Sequence, residues 1–271
     1  MEIFKKFKQR IEKEILDESS KVGEKEKKWL SDDIDMMLLR YLRARDYEAE
    51  ASYQLLKGTI EWRSTYRPYD IAAEDLSYEA STGKQYVFGK SHGRSCIYMR
   101  PTRENTKNYE KQIKLLVYNI ERAVSLMDKS KGHEQIVLLI DFNGYSIMNS
   151  PPMHVAKLTL QILSDHYPER LGNAFLVDTP LIFSVFWKAI TPLVNKVTYK
   201  KIVFANGEKQ KVKVFSEYFD LDELEKEFTG NCDHTFDPKV DWKREIELSR
   251  KERNLEMIPD EEILTLINTK V

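Results

Sequence analysis

Between Tyr167 and Lys201 the chain sets two short apolar runs around one aromatic-rich stretch, and this alternation limits the fold more than any other feature. Residues 174–177 are continuously apolar and lead straight into Asp178-Thr179-Pro180, so they predict a buried strand closed by a turn. Ile182, Phe183, Phe186, Trp187 and Ile190 then fall on one broad face of a helix expected over residues 181–195. Residues 201–205 predict a second strand. Strand, helix and strand in this order form a βαβ unit, whose parallel strands require a right-handed crossover.

The same grammar runs through the middle of the chain. Residues 136–142 read as a buried strand ended by Asn143-Gly144, and residues 96–99 as another. Helices are expected over 108–129 and, with Pro151 at its start, over 151–166. The N-terminal part is different. Asp32 and Asp33 are candidate caps for a helix through Arg45, and a second helix over 49–66 must stop before Pro68. Before them, Ile3, Phe4, Phe7, Ile11 and Ile15 line one face of a helix rimmed by Lys5, Lys6, Lys8, Arg10 and Lys13. That pattern fits a membrane-surface helix. It also fits a helix packed on its own domain, which is the preferred reading. The expected domains are a helical one over 1–75, an α/β one over 76–238 and a charged helical extension over 239–271.

Composition narrows the function classes. A net charge of −1 lacks the basic stripe of a nucleic-acid binder. Cys96 and Cys232 are the two cysteines, without metal-ligand spacing, and read as reduced thiols of a cytosolic protein. No apolar run approaches the ~20 residues that span a bilayer, and the first residues lack a signal-peptide core, so membrane contact is expected to be peripheral. No Gly-x-Ser-x-Gly, phosphate-cradling loop or dinucleotide fingerprint occurs. His92, His133, His154, His166 and His234 are scattered without zinc spacing. Asp141 and Asp178 end neighbouring strands; an acid–base pair is conceivable, but caps of turns are the commoner role. Neither catalysis nor a metal is expected.

The ordered set of motifs resembles the CRAL-TRIO family of lipid-binding and lipid-transfer proteins, in its phosphatidylinositol transfer branch. Its parts here are Leu38-Leu39-Arg40-Tyr41-Leu42-Arg43-Ala44-Arg45-Asp46-Tyr47 with Glu61-Trp62-Arg63, then His92-Gly93-Arg94 with Ile97-Tyr98. Leu139-Ile140-Asp141-Phe142-Asn143-Gly144, Tyr167-Pro168-Glu169-Arg170, Thr198 with Lys201, and Leu224 with Lys226-Glu227-Phe228 and Gly230 complete it, over roughly residues 30–238. The resemblance implies a helical bundle followed by a mainly parallel sheet whose flanking helices enclose an apolar lipid cavity.

It also implies roles. Arg45, Glu169, Thr198 and Lys201 match positions that meet an inositol phosphate headgroup, which suits their chemistry: Arg45 can grip a phosphate bidentately, Lys201 supplies a point charge, and Thr198 and Glu169 can bond hydroxyls. Asp46 departs from the branch, where lysine is common. Ile136, Leu138 and Leu163 stand where members that also hold phosphatidylcholine carry hydroxyls, while Tyr86 retains one aromatic of that site. The cavity is therefore expected to be more apolar, and phosphatidylcholine a poor ligand. Ile182, Phe183, Phe186, Trp187 and Ile190 are the expected gate and membrane contact. At ~0.8 kcal/mol per CH₂, two acyl chains of about thirty carbons lose roughly 20 kcal/mol in water, so a gate must open onto the membrane. The expected protein is a cytoplasmic monomer without a cofactor beyond its lipid. It visits membranes transiently, exchanges phosphatidylinositol, or presents it to a lipid kinase. A carrier of a sterol, tocopherol-like or retinoid ligand is the alternative, and a regulatory module with structural lipid the third reading.

Overall fold

The computed structural model describes residues 2–269. The chain divides into two units, one formed by Met1–Pro68 and Leu158–Arg170, the other by Tyr69–Lys157 and Leu171–Val271. Met1, Lys270 and Val271 lie outside the described residues, and with them the outer limits of the first and last expected domains.

The first unit is helical. Helix α1 (Glu2–Ile11) continues as a wider-wound turn over Glu12–Leu16 and is followed by α2 (Glu24–Ser31), α3 (Ile34–Arg43) and α4 (Ala49–Tyr66). Phe7, Ile11 and Ile15 pack with Leu30, Leu38, Tyr41, Leu42 and Leu56 into one core. The amphipathic N-terminal helix thus spends its apolar face on its own unit, and Ile3 stays at the surface. Asp33 precedes α3 without a capping bond, and the helix ends at Arg43 rather than Arg45. The ending is local: Asp46 and Tyr47 adopt left-handed φ of 50° and 63°, and the Tyr47 amide donates to the Leu42 carbonyl at 2.8 Å. Aspartate tolerates that conformation better than most residues, which gives Asp46 a backbone reason to be there. The chain returns to this unit for the second half of α7 (Met153–His166), where Thr59 Oγ1 donates to the Asp165 carbonyl at 2.9 Å.

The second unit is built on five strands in the order β1-β2-β3-β4-β5. They are β1 (Gln85–Ser91), β2 (Arg94–Met99), β3 (Ile136–Asp141), β4 (Leu171–Val177) and β5 (Ile202–Ala205). The hairpin β1–β2 is antiparallel; β2, β3, β4 and β5 are parallel. His92 and Gly93 turn that hairpin with φ of 48° and 78°, and a Cβ on Gly93 would meet the His133 ring at 2.5 Å. The predicted α/β class holds, with four parallel strands and one antiparallel edge. Helix α5 (Ser77–Ala80) precedes β1, and α6 (Tyr109–Ser125) lies between β2 and β3. Beyond β4 come α8 (Phe183–Ile190), α9 (Lys196–Tyr199) and α10 (Glu208–Tyr218). The tail forms α11 (Lys243–Glu252) and α12 (Asp260–Asn268). Trp242, Ile246, Ile263 and Ile267 bury against Ala73, Leu76, Ala80 and Leu115, so these helices share the core of the second unit.

The aromatic helix expected over 181–195 is shorter in the structure. It runs from Phe183 to Ile190, gives way to a tight turn over Thr191–Leu193, and α9 follows as a separate element. Pro192 supplies no amide for continuing the helix. Asn195 does not end a helix but starts one, its side chain accepting from the Thr198 amide at 2.7 Å. No helix of the described residues is long and apolar enough to cross a membrane.

Candidate functional site

Residues paired across a sheet point to the same side, so the register sorts the sheet's two faces. One face carries Tyr98, Leu139 and Phe175 in one row and Val177 with Ala205 in the next. These are buried, with Val203 half-buried at the β5 end of the first row, and Phe215, Phe219, Leu224 and Phe228 close over them. That face is a filled core. The other face carries the rows Ile97–Leu138–Ala174–Ile202 and Met99–Ile140–Leu176–Phe204. It is equally apolar but not equally covered. Met99, Leu138, Ile140, Ile202 and Phe204 all keep part of their surface accessible, although three of them sit on central or near-central strands. In a sheet with helices closed on both faces such residues are fully buried. An apolar face left partly open in the middle of a sheet is a surface built to receive something apolar.

Helix α8 lies over this open face. Phe183 is 3% exposed and packs on Phe142, Tyr145 and Leu176. The Trp187 ring stands edge-on to Phe204 at 5.7 Å and stacks on Tyr199 at 6.2 Å. Phe186 and Ile190 are half-buried. The opposite side of the element is apolar too: Leu181 is 94% exposed and Val185 59%. Of the five expected gate residues, then, Phe183 faces inward as the anchor and cannot be a membrane contact in this conformation. Ile182 is exposed, and Leu181 and Val185 are outward residues that the helical-face argument passed over because it followed only the inner stripe.

The expected cavity residues separate. Leu138 lies on the open face. Ile136 is buried at the start of β3, where the register with β4 shifts. Leu163 is half-buried and belongs to the first unit. Tyr86 does not share the open face. It pairs with Tyr98 and therefore points to the filled face, where it is 4% exposed. Its hydroxyl donates to Glu225 at 2.7 Å and accepts from Arg100. Arg100 also donates to Glu225 at 2.8 Å and to Glu227 at 2.6 Å, and His234 Nδ1 lies 2.8 Å from Glu225. Burial pushes the Tyr86 phenol well above its usual range, and Glu225 adds to the shift. This buried network was invisible in the sequence, since it joins Tyr86 and Arg100 to Glu225, Glu227 and His234 across more than a hundred residues, and only Glu227 lies in one of the motifs.

The headgroup candidates are divided between the units. Arg45 and Glu169 belong to the first, Thr198 and Lys201 to the second. Arg45, past the end of α3, donates to the Ala44 carbonyl at 2.9 Å and is half-buried. Glu169 holds a left-handed φ of 56° after Pro168. Thr198 sits in α9, and the Lys201 amide donates to its carbonyl at 3.0 Å, so the Thr-x-x-Lys spacing is one helical turn that places both at the mouth of β5. Asp141 and Asp178 act as turn residues. Asp141 accepts from the Asn143 amide at 2.9 Å, while Asp178 accepts from the Gly207 amide at 2.7 Å and pairs with Lys211 at 3.0 Å. Burial raises the Asp141 carboxyl above its usual value. Cys96 and Cys232 are both free thiols.

The CRAL/TRIO domain family matches residues 80–230, and the CRAL/TRIO N-terminal domain family matches residues 3–58. The chain belongs to the CRAL-TRIO family. It is 30% identical over 230 residues to the phosphatidylinositol transfer protein PDR17 of Saccharomyces cerevisiae, covering 80% of this chain and 62% of that protein. A CRAL-TRIO domain-containing protein of Schizosaccharomyces pombe is 31% identical over 231 residues, 85% of this chain but 22% of its own length. The chain thus spans less than two thirds of both relatives. The crystal structure of Sfh5 shares the fold with a TM-score of 0.60 at 19% identity, covering 75% of this chain and 78% of that one.

Proposed function

We propose that this CRAL-TRIO protein holds a single phospholipid, phosphatidylinositol, against the open apolar face of its sheet and exchanges it between membranes. The observation that carries the reading is the contrast between the two faces: one filled by Phe215, Phe219 and Phe228, the other apolar, incompletely covered and lying beneath α8. Acyl chains fit such a surface because each buried CH₂ is worth ~0.8 kcal/mol, whether a side chain or a lipid covers it. Arg45, Glu169, Thr198 and Lys201 are assigned to the inositol phosphate by their motifs, and the similarity to a phosphatidylinositol transfer protein supports that choice of headgroup. The protein works as a cytosolic monomer without catalysis, delivering its lipid to an acceptor membrane or presenting it to a lipid kinase.

A second reading has its own support. Met99, Leu138, Ile140, Ile202 and Phe204 offer no polar atom to a headgroup, which suits a sterol, tocopherol-like or retinoid ligand. Native mass spectrometry of the purified chain decides between them by the mass of the bound molecule. Uptake of phosphatidylinositol from vesicles, and its release to a second population, is the expected result. A chain that takes up neither lipid class refutes both readings. One that binds lipid without accelerating exchange is a regulatory module instead.

A further inference from the structure

The surface around α8 is segregated in charge as well as in polarity. Residues 179–207 contain no aspartate or glutamate, and neither do residues 142–157, although the chain holds 44 acidic residues and is acidic by one charge. Both stretches carry lysine: Lys157 in one, Lys188, Lys196, Lys200 and Lys201 in the other. The structure brings them together. Tyr145 meets Phe183 at 6.1 Å, which joins the loop after β3 to α8, and the Trp187–Tyr199 stack joins α9 to it. Met148, in that loop, is 91% exposed, and Leu181 is 94% exposed. Val185, Leu193, Val197 and Tyr199 are also exposed. Lys188, Lys196 and Lys200 stand among them in the open. Of the carboxylates that close β3 and β4, Asp178 pairs with Lys211 at 3.0 Å and Asp141 accepts from the Asn143 amide at 2.9 Å.

We infer that this face docks on anionic bilayers, with Met148 and Leu181 as twin apolar plugs and Lys188, Lys196 and Lys200 as the contacts to acidic headgroups. The inference deepens the proposed function, on which it rests, by naming the charge of the membrane from which lipid is taken. A single large apolar side chain inserted into the headgroup boundary binds weakly, and stable attachment needs a second signal. A cluster of lysines beside it provides one, worth about fivefold in partitioning for each lysine near an anionic surface. Acidic residues on the same face would cancel that gain, and there are none in either stretch. The interaction is selective because a neutral bilayer offers the lysines nothing.

The test is co-sedimentation of the full chain with phosphatidylcholine vesicles, with and without phosphatidylserine. Wild type is expected to bind the serine-containing vesicles on the order of a hundredfold more tightly, and to lose that preference in high salt. K188Q/K196Q/K200Q removes the preference without lowering the melting temperature, because all three side chains are exposed. M148S/L181S weakens binding to both vesicle types. Equal binding of wild type to both vesicles, or a lysine variant that keeps the preference, overturns the inference. Lipid carriage is read separately by native mass spectrometry. A protein that carries lipid but ignores membrane charge refutes this inference alone. One that prefers anionic vesicles but never loads lipid refutes the proposed function alone.

Discussion

Replacing Phe183 by alanine distinguishes a hinged helix from a fixed one. Phe183 is the only fully buried member of the α8 aromatic face, with its ring 4.4 Å from Phe142 and 6.1 Å from Tyr145. Truncating a buried phenylalanine costs roughly 3–5 kcal/mol, part of it from the void left behind. Here the space beside the ring is already incompletely filled, since Ile140, Ile202 and Phe204 keep accessible surface. The void term is therefore small, and the loss falls near about 3 kcal/mol. If α8 opens as a unit, that loss appears only in its own opening equilibrium. Its amides should then exchange roughly a hundredfold faster in F183A, at 1.4 kcal/mol for each factor of ten, while the β3 amides keep their protection. Loading with phosphatidylinositol should restore part of the protection. Hydrogen exchange followed by peptide mass spectrometry resolves the two segments. Equal acceleration of α8 and β3, with a lowered melting temperature and no response to lipid, would mean that α8 is ordinary core and that the gate does not exist.

If Thr198 and Lys201 meet the headgroup as proposed, T198D and K201A reduce phosphatidylinositol transfer while leaving thermal unfolding nearly unchanged, each at a cost of ~1.5–3 kcal/mol of binding; transfer at wild-type rates in both would remove the headgroup assignment. Phosphatidylcholine exchange should be weak if, as the motif match implies, Leu138 stands where a phosphate would need a donor, and brisk exchange in a vesicle assay would falsify this. His166 gives a pH prediction. Burial, with Arg63 adding to it, lowers its pKa from 6.5 to about 4, so the folded protein holds the ring neutral beside Trp62. A depressed histidine leaves stability intact above the unfolded value of 6.5 and erodes it as pH falls toward 4. H166F should flatten that acid limb in thermal melts, and an unchanged limb would place its origin elsewhere.

What could be read from the sequence was what local rules control. The helix expected over residues 49–66 is Ala49–Tyr66 in the structure, ended by the approach of Pro68. The apolar runs at 136–142 and 174–177 are adjacent parallel strands, as expected for central strands that present apolar side chains on both faces of the sheet. Two things lay beyond such rules. A strand period of two says that Tyr86 and Leu138 each have a face, but only the register β1–β2–β3 says that the faces are opposite, and register is a long-range property. The Tyr86 hydroxyl is consequently committed to Arg100 and Glu225, neither of which the motif argument touched. The second is coverage. The two faces of the sheet are almost equally apolar in composition, so no periodicity reveals that Phe215, Phe219 and Phe228 fill one while α8 only bridges the other. Function resides in that difference. A side chain packed against Phe175 lowers the energy of one state of the chain, whereas the incompletely covered Leu138 and Ile140 leave part of the hydrophobic driving force unspent until a ligand arrives. On the proposed function, the same residues that look like core in the sequence serve as the lipid-binding surface.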